Sequence, residues 1–140
     1  MHQAYRSPVQ RYHEVQTQTA SPGELLLALY EGLFRFLNTA LRCIDEQKKG
    51  LASQQLRKAH AIISELYVAL DESKAPELCA NLGSVYNYCL DRLMQASIRS
   101  DRKAVEDVIR VLTPLREAWI KAVPMAQAEK AQAEKAASGR

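Results

Sequence analysis

The sequence predicts an all-α protein: an antiparallel, up-down four-helix bundle with a short N-terminal arm and a polar C-terminal tail. Three observations carry that expectation. Apolar residues recur at intervals of three and four through four successive stretches, the period of one helix face. The links between the stretches are only a few residues long, and short links make consecutive helices antiparallel neighbours. Five glycines and few aromatic residues in 140 positions suit helices.

Residues 1–20 read as an arm. Pro8 and the T-Q-T run at Thr17 to Thr19 interrupt a long helix. Tyr5, Val9, Tyr12 and Val15 are nevertheless spaced three or four apart, so a short helix from about Val9 would carry an apolar face in need of a surface. The bundle is assigned to residues 21–123. Its first helix starts at Ser21, an N-cap whose side chain accepts from the first turn, with Glu24 placed to complete a capping box and Pro22 at the first helical position. It should run to about Gln47, with Leu26, Leu29, Leu33, Phe36, Leu37, Ala40, Leu41 and Ile44 recurring at helical spacing and Gly50 ending it in a left-handed cap.

The second helix, about Ala52 to Glu72 with Ser53 as a cap, shows Leu56, Ala59, Ile63, Leu66 and Leu70 on one face. The third opens at Pro76 and carries Leu78, Leu82, Val85, Tyr86, Cys89, Leu93 and Ala96 to about Arg99. Ser100 is the expected cap of the fourth, whose face is Val105, Val108, Leu112, Leu115 and Trp119. Pro114 falls inside it and should bend the rod without ending it, because the apolar period runs through. From residue 124 to 140 the chain is a flexible Ala, Gln, Glu and Lys tail in which A-Q-A-E-K occurs twice. A five-residue period matches neither helix face, so the tail is free to be helical but has nothing to bury.

The composition, 47% apolar and 25% charged, is that of one ordinary globular domain. The net charge of +3 is spread evenly along the chain, so no basic stripe points to nucleic acid. No apolar run reaches the roughly 18 residues of a membrane span, and the N-terminus has no secretory signal core. A cytoplasmic protein without membrane insertion is expected. Cys43, Cys79 and Cys89 form no C-x-x-C pair and read as small core residues.

A search for chemistry returns little. Di-metal bundles need inward glutamates and E-x-x-H pairs, and no glutamate here has a histidine three positions on. His2, His13 and His60 read as solvated or structural. There is no phosphate loop, nucleophile elbow or H-E-x-x-H. Neither a catalytic residue, a metal nor a cofactor is expected, and an enzyme would need scattered residues to assemble a site.

What remains is surplus apolar surface. Leu27, Phe34, Tyr67, Val68, Tyr88, Leu90, Met94, Ile98 and Val111 lie off or at the margins of the stripes. Bundle helices often have broad faces, and single exposed apolar residues need no explanation. A contiguous patch would mark an interface. Tyr86 and Tyr88, two positions apart, cannot share a helix face; Tyr86 is assigned to the core and Tyr88 to the surface.

Spaced motifs then resemble one family, the flagellin-specific export chaperones called FliS, from about Ser7 to Trp119. An arm aromatic, Tyr12, stands nine positions before Ser21-Pro22. Leu25 to Gly32 matches L-x-x-x-L-Y-[DEN]-G, and Lys58 to Asp71 matches K-A-x-x-I-I-x-x-L-x-x-x-L-D. Asn81 to Tyr88 follows N-L-x-x-[LV]-Y-x-Y, Arg92 to Ala96 follows R-L-x-x-A, and Leu115 to Trp119 reads L-R-E-A-W.

The resemblance implies a cytosolic, non-enzymatic chaperone. It would bind the disordered C-terminal segment of flagellin along apolar grooves, prevent premature polymerisation and help deliver the complex to the cytoplasmic domain of the flagellar export gate. Leu27, Tyr30, Phe34, Tyr67, Tyr88, Met94 and Ile98 are the candidate groove residues. The arm would cap part of the groove and take part in gate docking through Val9 and Tyr12. A second reading is a bundle that sequesters another flagellar or secretion protein, such as an anti-sigma factor, in addition to flagellin.

Overall fold

The computed structural model describes residues 21–139. Val9 and Tyr12 lie outside these residues. Four helices follow one another: α1 (Pro22–Asp45), α2 (Lys49–Val68), α3 (Pro76–Arg99) and α4 (Arg102–Ser138). Each packs against its sequence neighbours, and α4 closes the ring on α1. This is the predicted up-down bundle.

The core is built from the expected period. On α3, for instance, Cys79, Leu82, Tyr86, Cys89, Leu93 and Ala96 alternate steps of three and four and are all buried. Leu78, assigned to that stripe from the sequence, is instead 49% exposed. Cys79 continues the alternation back one turn from Leu82, and Leu78 falls on the flank.

Helix ends depart from expectation for local reasons. Ser21 caps α1 by accepting the Glu24 N–H at 3.2 Å, as its sequence position suggests. At the other end α1 stops at Asp45, and the reversal is made by Gln47 at φ 60°. The Gln47 N–H donates to Ile44 O at 3.0 Å and the Lys48 N–H to Cys43 O at 2.8 Å, the paired bonds of a Schellman motif. Gly50 is therefore not the cap; it lies in the first turn of α2. Ser53 is not a cap either, and its hydroxyl meets that of Ser97 on α3 at 3.4 Å. Ser100 takes the left-handed position that ends α3 (φ 51°), and Asp101 caps α4 by accepting the Ala104 N–H at 3.3 Å.

Helix α4 passes through Pro114, as the continuous apolar period predicts, and also through Pro124. Residue 124 is thus not a helix boundary: α4 extends to Ser138, although every residue from Ala128 to Gly139 is exposed. The extension is held at its base. Gly23 lies so close to Val123 that an added Cβ would stand 2.7 Å from a Val123 methyl. One turn later the Gln127 side-chain N–H donates to Ser21 Oγ at 2.8 Å and to Glu24 Oε1 at 3.3 Å.

Helices α3 and α4 are joined by a buried charge. Asp107, 6% exposed, accepts from Arg92 at 2.8 Å and pairs with Arg110 at 3.0 Å and Lys103 at 3.4 Å. Burial by itself would raise the carboxyl pKa; the hydrogen bonds from Arg92 and Lys103 and the charges of Lys103 and Arg110 outweigh it and hold the group below the usual carboxylate value.

Candidate functional site

The seven bundle residues singled out from the sequence do not share one environment. Tyr30, assigned there to the groove, is 0% exposed and belongs to the core. Its hydroxyl meets that of Tyr86 at 2.6 Å in the bundle interior, and its ring stands edge-on to Trp119 with centroids 6.5 Å apart. The physical reason is the closed ring. Helix α1 packs on α2 with one flank and on α4 with the other, so its buried face is wider than a single-neighbour stripe. Burial raises the pKa of both hydroxyls and pushes the nearby Cys89 thiol up to about 12. The Trp119 indole N–H is close enough to oppose the shift at Tyr30, yet it meets no acceptor at hydrogen-bond geometry. These groups stay neutral at physiological pH and offer neither a base nor a thiolate.

The other six are accessible to different degrees. Leu27 and Phe34 are half-buried on α1, with the Arg116 guanidinium of α4 5.2 Å from the Phe34 ring centroid. They line the α1–α4 seam together with Ile120, which is 48% exposed and which the sequence reading passed over. Tyr67, 41% exposed, lies at the C-terminal end of α2 against Gly83 of α3, where a Cβ would touch its ring at 3.6 Å. On α3, Met94 and Ile98 are 56% and 78% exposed. Met94 stands one turn before Ser97, whose hydroxyl meets α2, and so lies on the α2 side. Tyr88 stands one turn before Arg92, whose guanidinium reaches α4, and so lies on the α4 side.

At about 100° per residue, Met94 and Ile98 are about 40° apart around α3, while Tyr88 is about 80° beyond Ile98. The accessible apolar residues thus stand on several helices instead of lining one pocket. Val68, Leu51, Leu78 and Met125 add to them. Val68 was visible as an off-stripe residue. Met125 was hidden, because Pro124 marked the start of a tail.

A separate open depression at the far end of the α1–α4 seam is lined by Arg35, Asn38, Thr39, Leu41, Arg42, Asp45 and Arg102. Arg102 donates to both Asp45 oxygens at 2.7 Å and pairs with Glu106 at 2.9 Å, so much of its charge is spent internally. Among the described residues no group of His, Cys, Asp and Glu side chains is arranged to hold a metal ion. No described helix is long and apolar enough to cross a membrane.

Comparison with known proteins gives a consistent result. The profile of the family described as "Flagellar protein FliS" matches residues 4–127. The chain is similar to the flagellar secretion chaperone FliS of Bacillus subtilis, 35% identical over 120 residues that cover 86% of this chain and 89% of the relative. It is also similar to the flagellar secretion chaperone FliS of Salmonella typhimurium, 32% identical over 125 residues, covering 86% and 93%. A crystal structure of a bacterial flagellar chaperone shares the fold, with a TM-score of 0.69 at 19% identity over 82% of this chain and 94% of that one.

Proposed function

The chain belongs to the FliS family of flagellar secretion chaperones, and from that premise we propose that it binds the disordered C-terminal segment of flagellin in the cytosol. Bound there, the segment is kept from polymerising early and is presented to the cytoplasmic domain of the export gate. The observation that carries this reading is the distribution of accessible apolar side chains over several sides of one well-packed bundle. A guest with a single compact epitope needs one patch. An unfolded segment can follow a surface that turns around the bundle.

The magnitudes are compatible. A micromolar complex needs about −8 kcal/mol net, and ordering the guest costs about 2–5 kcal/mol more. At roughly 1.5–3 kcal/mol for each large side chain fully removed from water, roughly three to nine such contacts are required. Leu27, Phe34, Tyr67, Tyr88, Met94, Ile98 and Ile120 form a set of that size. Binding of this kind uses no catalytic group, metal or cofactor. Val9 and Tyr12 of the arm are proposed to contact the gate.

Titration of the full-length protein with a peptide of the last few dozen flagellin residues tests the proposal. A 1:1 complex at micromolar concentration is expected, and no heat or mobility change at that concentration would sink it. Adding an anti-sigma factor to the preformed complex separates the two guest classes. Displacement of the peptide would mean that they compete for one surface.

A further inference from the structure

We propose that the α3–α4 seam around Asp107 docks an acidic polypeptide segment, whose carboxylates are received by Lys103 and Arg110. The inference rests on the balance of charge at this seam and is independent of where a flagellin segment binds.

Three cations converge on one carboxylate. Arg92 of α3 lies 2.8 Å from Asp107, Arg110 lies 3.0 Å away and Lys103 3.4 Å. Asp107 balances one positive charge and leaves two. The neighbouring carboxylates are engaged in other directions. Asp91 and Glu106 each adjoin a member of the cluster in sequence and so stand about 100° around their helices from it. Asp91 accepts from Gln95 at 3.2 Å, and Glu106 pairs with Arg102 at 2.9 Å. Cations elsewhere are matched differently: Lys48 has Glu46, and Arg102 has both Asp45 and Glu106.

The fold does not require this excess. Arg92, whose side chain is 22% exposed, already answers the buried carboxylate from across the seam, whereas Lys103 and Arg110 are 75% and 68% exposed. Both reach the same oxygen, Asp107 Oδ1, so their charged heads lie close enough together for one incoming carboxylate to meet both. An ammonium carries three donors and a guanidinium five, which leaves donors for that second carboxylate. Heads already held in place also lose less freedom when it binds.

The extent of the positive surface selects the kind of anion. Arg99, exposed in the last turn of α3, is seven residues past Arg92, about 20° around the helix from it and about 10 Å further along. Cations strung over that distance suit several carboxylates on one chain better than one free ion, because the second contact is then intramolecular. A nucleic-acid backbone is a poorer fit, since its charges would run on beside Glu106 and Glu117, and binding of that kind draws on many phosphate contacts.

The test is an NMR titration of the full-length protein with decaglutamate at physiological ionic strength. Amide shifts centred on residues 99–110 are expected. Binding should be about tenfold weaker in Lys103→Gln/Arg110→Gln, the loss of two exposed ion pairs, and unchanged in Lys48→Gln/Lys49→Gln, which removes the same net charge elsewhere. Lys103→Gln alone, which leaves Asp107 two partners, should weaken binding about threefold and serves if the double variant does not fold. Inorganic phosphate should bind about tenfold more weakly than decaglutamate at the same amides. Equal affinity for phosphate would make this a small-ion site, and tighter binding of an oligothymidylate would make it a nucleic-acid surface. Either result would overturn the proposal, as would shifts centred elsewhere, no shifts, or equal losses in the two double variants.

Discussion

The hydroxyls of Tyr30 and Tyr86, 2.6 Å apart in the core, are each other's answer to burial. Two phenols at 0% and 2% exposure satisfy one donor and one acceptor between them. Tyr30→Phe or Tyr86→Phe alone should cost about 1–3 kcal/mol, because the surviving hydroxyl is left buried without its partner. The double replacement should be close to neutral by the same principle. Urea midpoints of the four proteins form the check, and simple addition of the two single losses would show that the hydroxyls do not depend on each other. This is also where the sequence was least legible. Tyr86 stands on the three-four alternation of α3 and was placed in the core. Tyr30 stands one position off the Leu26–Leu29–Leu33 line and was assigned to the surface, because spacing reports one helix face and not how many neighbours that helix will have.

At the level of elements, the four helices were readable because their apolar periods are long and uninterrupted, even across Pro114. Their ends were less so. Gln47 and Ser100 occupy left-handed positions that glycine would fill more easily, and with no glycine to mark them the reversals were displaced to Gly50 and to an N-cap at Ser100. The pairing of α3 with α4 through Asp107 was also invisible, since Arg92 and Asp107 are fifteen residues apart and only the folded geometry joins them. That link predicts a pH dependence. The Asp107 carboxyl is held below its ordinary value in the fold, so its contribution is present above the unfolded-state pKa of about 4 and is lost as pH falls through the lower folded value. The wild type should lose stability over that acid range more steeply than Asp107→Asn, whose amide does not titrate. Thermal melts of both between pH 2 and 7 measure the difference, and parallel acid limbs would remove Asp107 from the account.

For the molecule as a whole, the question is whether a guest touches one side of the bundle or several. Ile98 on α3 and Ile120 on α4 are 78% and 48% exposed, and they stand on different helices of the ring. The sequence pointed to Ile98 because it falls off the α3 stripe, but not to Ile120, which adjoins Trp119 and looks like a continuation of the core. If the guest wraps the bundle, Ile98→Asp and Ile120→Asp should each weaken binding of the flagellin C-terminal peptide about tenfold, in keeping with the loss of one apolar contact of roughly 1.5 kcal/mol. As contacts made by two different helices, the effects should multiply, to about 100-fold in the double variant. Both side chains lie outside the buried core, so circular dichroism and thermal midpoints should stay close to those of the wild type. A guest confined to one seam gives a different pattern: one variant binds like the wild type, and the double variant is no weaker than the effective single one.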